Sequence, residues 1–240
     1  MPAAKGVLPA AWDTDNVDMG TLALLLMLAS APPDCSPQLA PLETGSSSGA
    51  STLPFWRKEE AGAWGGSGWL GWAWDDSRLQ PVELIVRDRP RDFSGDEEYV
   101  TVQGRPDVTF AVRCIPSLTA GPIAAAGITN WSLQSDGPLR ITLGTRDYEV
   151  SMQSARSDLT DARIVLAGDG RRQVLYSADG FVDEPHFHVV WAGDLDRDGK
   201  LDLIVNLHRK YSWHPYRLLL SSIAANGELV GDAALFETGD

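Results

Sequence analysis

The chain has 240 residues and a formal net charge of −13; hydrophobic residues make up 43% of it and charged residues 22%. These fractions are typical of a globular protein, and the length allows one large domain or two small ones. Because phosphate groups are bound by clustered Lys and Arg, the negative charge argues against nucleic acid or an anionic membrane surface as a partner. A protein or a glycan stays open as a partner.

The N-terminal part contains an apolar run, TLALLLMLASA, over residues 21–31, and this run ends in an Ala-x-Ala cleavage pattern. It is shorter than the about 20 residues that span a bilayer. We therefore predict a signal segment over residues 1–31, with Met19 as an alternative start, a secreted or periplasmic location and no membrane span. The alternative is a buried core helix. In an exported chain Cys35 and Cys114 can form one disulfide, although their spacing does not establish it.

Residues 32–52 are rich in Pro, Ser and Gly and poor in large apolar side chains, which is typical of a flexible linker. A single folded domain is predicted over residues 53–240. Near its start, residues 63–74 hold four tryptophans among four glycines. Exposed tryptophans would offer a platform for sugar rings. We favour the alternative, a glycine-permitted bend followed by an edge strand that places Trp72 and Trp74 in the core.

Short alternating apolar runs, broken by turn residues, continue to the C-terminus without a stretch at helical period. Strands are predicted at residues 82–87, 98–103, 108–114, 139–143, 148–152, 162–167, 173–178, 186–192, 201–207, 217–223 and 228–236. Turn sequences such as Asn226-Gly227 join several of them as hairpins, which implies antiparallel pairing. We predict an all-β fold, an antiparallel sandwich or barrel built from successive hairpins, one of which carries a calcium loop.

The loop between two of these strands is rich in aspartate. Residues 193–205 read GDLDRDGKLDLIV, with carboxylates at loop positions 1, 3, 5 and 9. Ca²⁺ takes 6 to 8 oxygen ligands, and alternating aspartates on a tightly coiled loop direct their oxygens at one centre. Gly199 permits the sharp turn that lets the Lys200 carbonyl join them. Because four carboxylates so close together repel one another without a cation, we predict Ca²⁺ as the cofactor.

The loop is not an EF-hand. That motif needs a glutamate at position 12, where this chain has Val205. It also needs flanking helices, whereas both flanks here alternate as strands do, with Phe187, Val189 and Trp191 predicted on one face before the loop.

The pattern D-x-D-x-D-G-x-x-D followed by an apolar strand resembles the calcium loop of FG-GAP repeats, the blade units of integrin alpha-chain propellers and of bacterial VCBS-type proteins. The resemblance covers residues 186–207, in a single copy, whereas propellers repeat the unit several times. It implies calcium ligands from the side chains of Asp194, Asp196, Asp198 and Asp202 and from the backbone carbonyl of Lys200.

The sequence contains few other candidates for chemistry. His186 and His188 alternate on a predicted strand and so share a face, where His208 or His214 would complete a zinc site. Without an H-E-x-x-H motif or a cysteine pair, we interpret them as surface histidines. The sequence also contains no P-loop.

The function predicted from the sequence is that of a calcium-binding extracytoplasmic β-protein with a non-enzymatic, structural or interaction role. Two alternatives stay open. One is a calcium-dependent carbohydrate-binding module, which the tryptophan-rich segment suggests. The other is a hydrolase whose catalytic residues lie far apart in the sequence; convergent acids of perturbed pKa would indicate it.

Overall fold

The computed structural model describes residues 35–44, 51–54, 62–88, 98–180, 182–210 and 213–239. These residues form three β-sheets and one turn of 3-10 helix, η1 (Ser221–Ile223). The predicted all-β, antiparallel fold class is confirmed. The predicted signal segment over residues 1–31 lies outside the described residues. Among those described, no helix is long and apolar enough to cross a membrane.

The described strands are numbered along the chain. They are β1 (Gln38–Pro41), β2 (Glu43–Thr44), β3 (Ser51–Pro54), β4 (Gly66–Trp72), β5 (Arg78–Asp88), β6 (Glu98–Val102), β7 (Phe110–Arg113), β8 (Gly121–Pro122), β9 (Ala124–Ala125), β10 (Trp131–Ser132), β11 (Leu139–Leu143), β12 (Arg146–Gln153), β13 (Arg163–Gly168), β14 (Arg171–Ser177), β15 (His186–Asp194), β16 (Asp202–His208), β17 (Trp213–Leu220) and β18 (Gly231–Gly239).

The first sheet has the strand order β1-β7-β4-β5-β6-β3-β2, with β8 beside β5. Its two faces belong to different apolar clusters. Trp69, Leu84 and Val100 pack together on one face, and Trp72 and Phe110 pack on the other.

Residues 38–44 form β1 and β2, where the sequence predicts part of a flexible linker. Leu39 and Ala40 have no exposed surface, because successive side chains of β1 enter the clusters on opposite faces of the sheet. A disulfide between Cys35 and Cys114, with a Cα–Cα distance of 5.7 Å, ties this segment to the end of β7. The folded domain therefore begins before residue 53, and its disulfide fits an extracellular protein.

The tryptophan-rich segment forms β4, which lies between β5 and β7 and is an interior strand, not the predicted edge strand. Trp69 and Trp72 are 1% and 0% exposed, and Trp74 is half-buried against Phe110. The core interpretation is therefore confirmed for Trp72. A Cβ at Gly71 would lie 2.9 Å from a methyl group of Val82, so the glycine allows the two strands to approach.

The third sheet, of order β10-β15-β16-β17-β18 with β9 beside β15, lies between the other two. One of its faces packs Phe187 and Val205 against the second sheet, which is the meander β11-β12-β13-β14. The other face packs Trp191 and Ile204 against the first sheet. Every residue of β16 is buried, which explains the nearly continuous apolar run in the sequence of this strand.

A β-bulge interrupts the pairing of β15 with β16. Val189 pairs with Val205, but Trp191 pairs with Ile204, so that Val190 is the extra residue. Because one extra residue reverses the alternation of side chains, Trp191 faces the first sheet, while Phe187 and Val189 face the second. The predicted placement of all three side chains on one face is corrected here.

Candidate metal centre

The acidic loop, Asp194 to Asp202, joins β15 to β16. Leu195 and Leu201 are 0% and 1% exposed and anchor the loop in the apolar clusters on opposite faces of the third sheet. Gly199 has a φ of 77°, in the left-handed region that glycine adopts without strain, as the predicted sharp turn requires. The apolar residues of the loop thus fix the positions from which its aspartates project.

The carboxylates of Asp194, Asp196 and Asp202 converge. One oxygen from each lies within 4.8 Å of the others, and among the described residues no other set of three or more His, Cys, Asp or Glu ligand atoms does so. Two oxygens bound to one Ca²⁺ at 2.3–2.6 Å are at most about 5 Å apart. The three side chains are therefore close enough to share one ion.

Two oxygens of this group have no partner. Asp194 Oδ1 and Asp196 Oδ2 are buried, and neither receives a hydrogen bond from the described part of the chain. The other oxygen of each carboxylate accepts a backbone N–H: Asp194 Oδ2 from Gly199 at 3.1 Å, and Asp196 Oδ1 from Asp198 at 3.3 Å. The loop backbone thus holds both carboxylates and leaves one oxygen of each without a donor. Burying such an oxygen unpaired is unfavourable.

Asp202 is fully buried and accepts three backbone hydrogen bonds. Its Oδ2 accepts the N–H groups of Leu195 at 2.7 Å and Asp196 at 3.3 Å. Its Oδ1 accepts the Ser221 N–H at 2.8 Å and lies 3.2 Å from the Ser221 hydroxyl, whose single proton it shares with Asp198 Oδ1. Burial nevertheless raises the pKa of Asp202 to about 7, and the Asp196 carboxylate adds to this rise while the backbone donors oppose it. Burial also raises the pKa of Asp194.

Asp198 lies outside the converging set, because donors of the chain itself engage its carboxylate. Asp198 Oδ1 accepts the Ser221 hydroxyl at 2.9 Å and the Lys200 N–H at 2.8 Å. Its Oδ2 pairs with the Lys200 ammonium at 3.2 Å. The ligand roles of Asp198 and of the Lys200 carbonyl therefore stay predictions.

The loop is tied to two distant connections. The Ser221 contacts attach it to η1, between β17 and β18. The Arg197 guanidinium donates to the carbonyl oxygens of Thr119 at 3.2 Å and Ala120 at 3.4 Å, in the connection between β7 and β8. A Cβ at Gly121 would lie 2.1 Å from this guanidinium, so the glycine leaves room for it. The acidic loop thus joins three parts of the chain.

The four histidines, His186, His188, His208 and His214, meet at the opposite end of the same hairpin. Of the two histidines interpreted as surface residues, His186 is exposed and His188 is half-buried, whereas the neighbouring His208 is 0% exposed. The sequence indicates that His186 and His188 share a face, and the register of β15 with β16 places His208, 22 residues from His186, directly opposite it.

Comparison of the chain with protein family models, with curated proteins and with solved structures gives no match. The resemblance to FG-GAP repeats consequently depends on residues 186–207 alone.

Proposed function

We propose that this chain is a calcium-binding, exported β-protein with a structural or interaction role, in which one Ca²⁺ occupies the acidic loop. Asp194, Asp196 and Asp202 would be side-chain ligands, joined by Asp198 and by the Lys200 carbonyl as the FG-GAP resemblance implies. The observation that carries the proposal is the pair of buried oxygens Asp194 Oδ1 and Asp196 Oδ2. Neither accepts a hydrogen bond from a described residue, and both side chains converge with a third carboxylate, that of Asp202.

The cations of the chain near the loop are engaged elsewhere. The Lys200 ammonium pairs with Asp198, and the Arg197 guanidinium points to the carbonyls of Thr119 and Ala120. The converging carboxylates therefore lack a neutralising partner from the loop itself. A hard divalent cation with oxygen ligands supplies one.

The contacts of the loop support a structural role for the ion. Asp202 is bonded to Ser221 of η1, and Arg197 is bonded to the connection between β7 and β8. An ion that fixes the loop would therefore also fix the junction of these segments. The disulfide between Cys35 and Cys114 supports an exported location, since such bonds persist in oxidising compartments.

The alternatives receive less support. Trp69 and Trp72 are buried, so they do not contribute to an exposed platform for sugar rings. The described carboxylates whose pKa is raised are Asp194 and Asp202, which belong to the acidic loop. Their environment is accounted for by cation binding without a catalytic role.

Calorimetric titration with Ca²⁺, together with melting curves, tests the proposal. We expect about one equivalent to bind. At a free Ca²⁺ concentration a hundredfold above Kd, the protein should be more stable by about 2.7 kcal/mol. No heat and an unchanged melting temperature at millimolar Ca²⁺ would refute the proposal.

The sharpest variant is Asp196→Asn. Asparagine keeps the Oδ1 acceptor for the Asp198 N–H but replaces the unpartnered Oδ2 by a neutral amide group. Calcium binding should weaken at least tenfold while the calcium-free fold is kept. The matched control is Asp169→Asn, in the turn between β13 and β14, where the carboxylate pairs with Arg146. Equal losses in both variants would show that the loop is not the binding site.

A further inference from the structure

All four histidines of the chain gather on one face of the third sheet. His186 and His208 are directly paired between β15 and β16, His188 lies two residues along β15, and His214 lies on β17. The ring centres are 5.1 Å apart for His186 and His188, 4.9 Å for His186 and His208, 5.0 Å for His208 and His214, and 6.0 Å for His186 and His214. We call this group the histidine cluster.

The bulge at Val190 creates the cluster. On the loop side of the bulge Gly193 pairs with Asp202, and continuing that register would place His208 opposite Phe187 and turn His186 and His188 to the other face of the sheet. The extra residue shifts the register by one, so that His208 pairs with His186 instead. Bulges often redirect side chains at functional sites.

His208 is buried. It is 0% exposed, and neither ring nitrogen has a hydrogen bond of normal geometry to a described residue, although the Lys210 backbone is near enough to raise its pKa against the larger lowering by burial. The neighbouring Asn206 Oδ1, two residues earlier on β16, is also buried and unbonded. Leaving such groups unpaired is unfavourable. A bound metal ion that accepts the lone pair of a ring nitrogen would give His208 the partner that it lacks.

His188 is already oriented. Its Nδ1 lies 2.9 Å from Asn130 Oδ1, so a donated Nδ1–H leaves the Nε2 lone pair free. Histidines that ligate a metal commonly have their other nitrogen fixed by an acceptor of this kind. Asn130 is therefore placed as a positioning residue for His188.

We propose that the histidine cluster is a binding site for a late first-row divalent cation such as Zn²⁺, distinct from the calcium loop. Imidazole nitrogen suits these ions, whereas Ca²⁺ selects oxygen. A Zn–N bond of 2.0–2.1 Å places each ring centre about 3 Å from the ion, so ring centres around a tetrahedral ion are about 5 Å apart. Among His186, His208 and His214 the ring separations of 4.9–6.0 Å are close to this spacing, and His188 lies 5.1 Å from His186.

Binding requires ring rotation. The planes of His186 and His208 are inclined by 11°, and the nitrogens of the cluster are not gathered as closely as the oxygens of the acidic loop. His186 is exposed and His188 is half-buried, so both rings can turn about χ2 toward an ion held at His208. The ion would then link three adjacent strands, β15, β16 and β17.

The test uses the chain without a polyhistidine tag, because every imidazole of the protein then belongs to the cluster. Zn²⁺ is titrated with the acidic loop saturated by Ca²⁺, and bound metal is measured by equilibrium dialysis. We expect one equivalent with a Kd of about 1 μM or tighter, accompanied by shifts of the imidazole NMR signals. Absence of bound Zn²⁺ at about 100 μM would overturn the proposal.

Variants separate ligands from bystanders. His186→Gln, at an exposed position, and His214→Gln should each weaken Zn²⁺ binding at least tenfold and leave Ca²⁺ binding unchanged. Asn130→Ala should weaken Zn²⁺ binding about tenfold by releasing His188. The reciprocal control, Asp196→Asn, should lose Ca²⁺ and retain Zn²⁺. Unchanged Zn²⁺ affinity in both histidine variants would overturn the proposal even if the natural chain binds the metal.

Discussion

Replacing Asp202 by asparagine should change how the stability of the calcium-free protein depends on pH. Relative to the natural chain, the variant is expected to become more stable as the pH rises from acidic to neutral. Burial raises the pKa of Asp202 from its ordinary value of 3.8 to about 7. Between these values the folded protein retains a proton that the unfolded chain has lost, so the contribution of Asp202 to stability falls as the pH rises. A difference of about 3 pH units corresponds to about 4 kcal/mol. Because asparagine does not ionise, the stability of the variant does not fall for this reason as the pH rises.

The assay is urea denaturation of both proteins in metal-free buffer at several pH values. From about pH 4 to pH 7.5 the free energy of unfolding of Asp202→Asn should rise relative to that of the natural chain by about 3–4 kcal/mol. Titrating groups distant from Asp202, including His208, are present in both proteins and cancel, whereas the interaction of Asp202 with the Asp196 carboxylate belongs to the difference that is measured. The amide nitrogen also faces backbone N–H groups that the carboxylate accepted, that of Ser221 in one orientation and those of Leu195 and Asp196 in the other, which lowers stability at every pH without changing the slope. A difference between the two proteins that does not vary with pH would refute the reasoning.

Two further substitutions test the packing around the acidic loop. Gly193→Ala puts a Cβ 2.3 Å from the Ala124 carbonyl oxygen and should lower stability by about 3 kcal/mol, seen as a melting temperature lower by about 10 °C. The control Gly62→Ala, with open space around its Cβ, should change the melting temperature little. Equal melting temperatures for the two variants would contradict the close approach. Ser221→Ala removes the hydroxyl that contacts Asp198 and Asp202 and should lower the free energy of unfolding by about 2 kcal/mol, measured by urea denaturation with Ca²⁺ present. A change below about 0.5 kcal/mol would show that the hydroxyl contributes little to stability.

The hairpins of the second and third sheets could be predicted because their information is local. The pairs β11-β12 and β13-β14 are each joined by two residues, and Gly144 and Gly170 have positive φ values that mark these turns in the sequence. The pair β17-β18 is joined by residues 221–230, which contain η1 and Gly227, also with a positive φ. The first sheet depends on distant pairings, such as β1 with β7 and β3 with β6. Nothing in a Pro- and Ser-rich segment reveals which distant strand it will join.

The candidate site divides in the same way. The convergence of Asp194, Asp196 and Asp202 follows from their spacing on one loop, and the sequence predicts it. Their partners do not follow: Ser221 is 19 residues from Asp202, and Thr119 is 78 residues from Arg197. The histidine cluster depends on a single extra residue in β15, and alternation alone places its members on different faces.

The disulfide has a consequence for how the first sheet folds. Cys35 and Cys114 enclose β1 to β7, so the covalent ring contains nearly the whole first sheet, whereas the other two sheets are built from the chain that follows. The most distant pairing within that ring, Gln38 with Arg113, begins three residues inside one cysteine and one inside the other. Bringing such distant segments together is entropically the most demanding step for an open chain. Once the disulfide has formed, β1 and β7 are held next to each other, so their pairing needs no further loop closure. The first sheet can then form from this pair of strands.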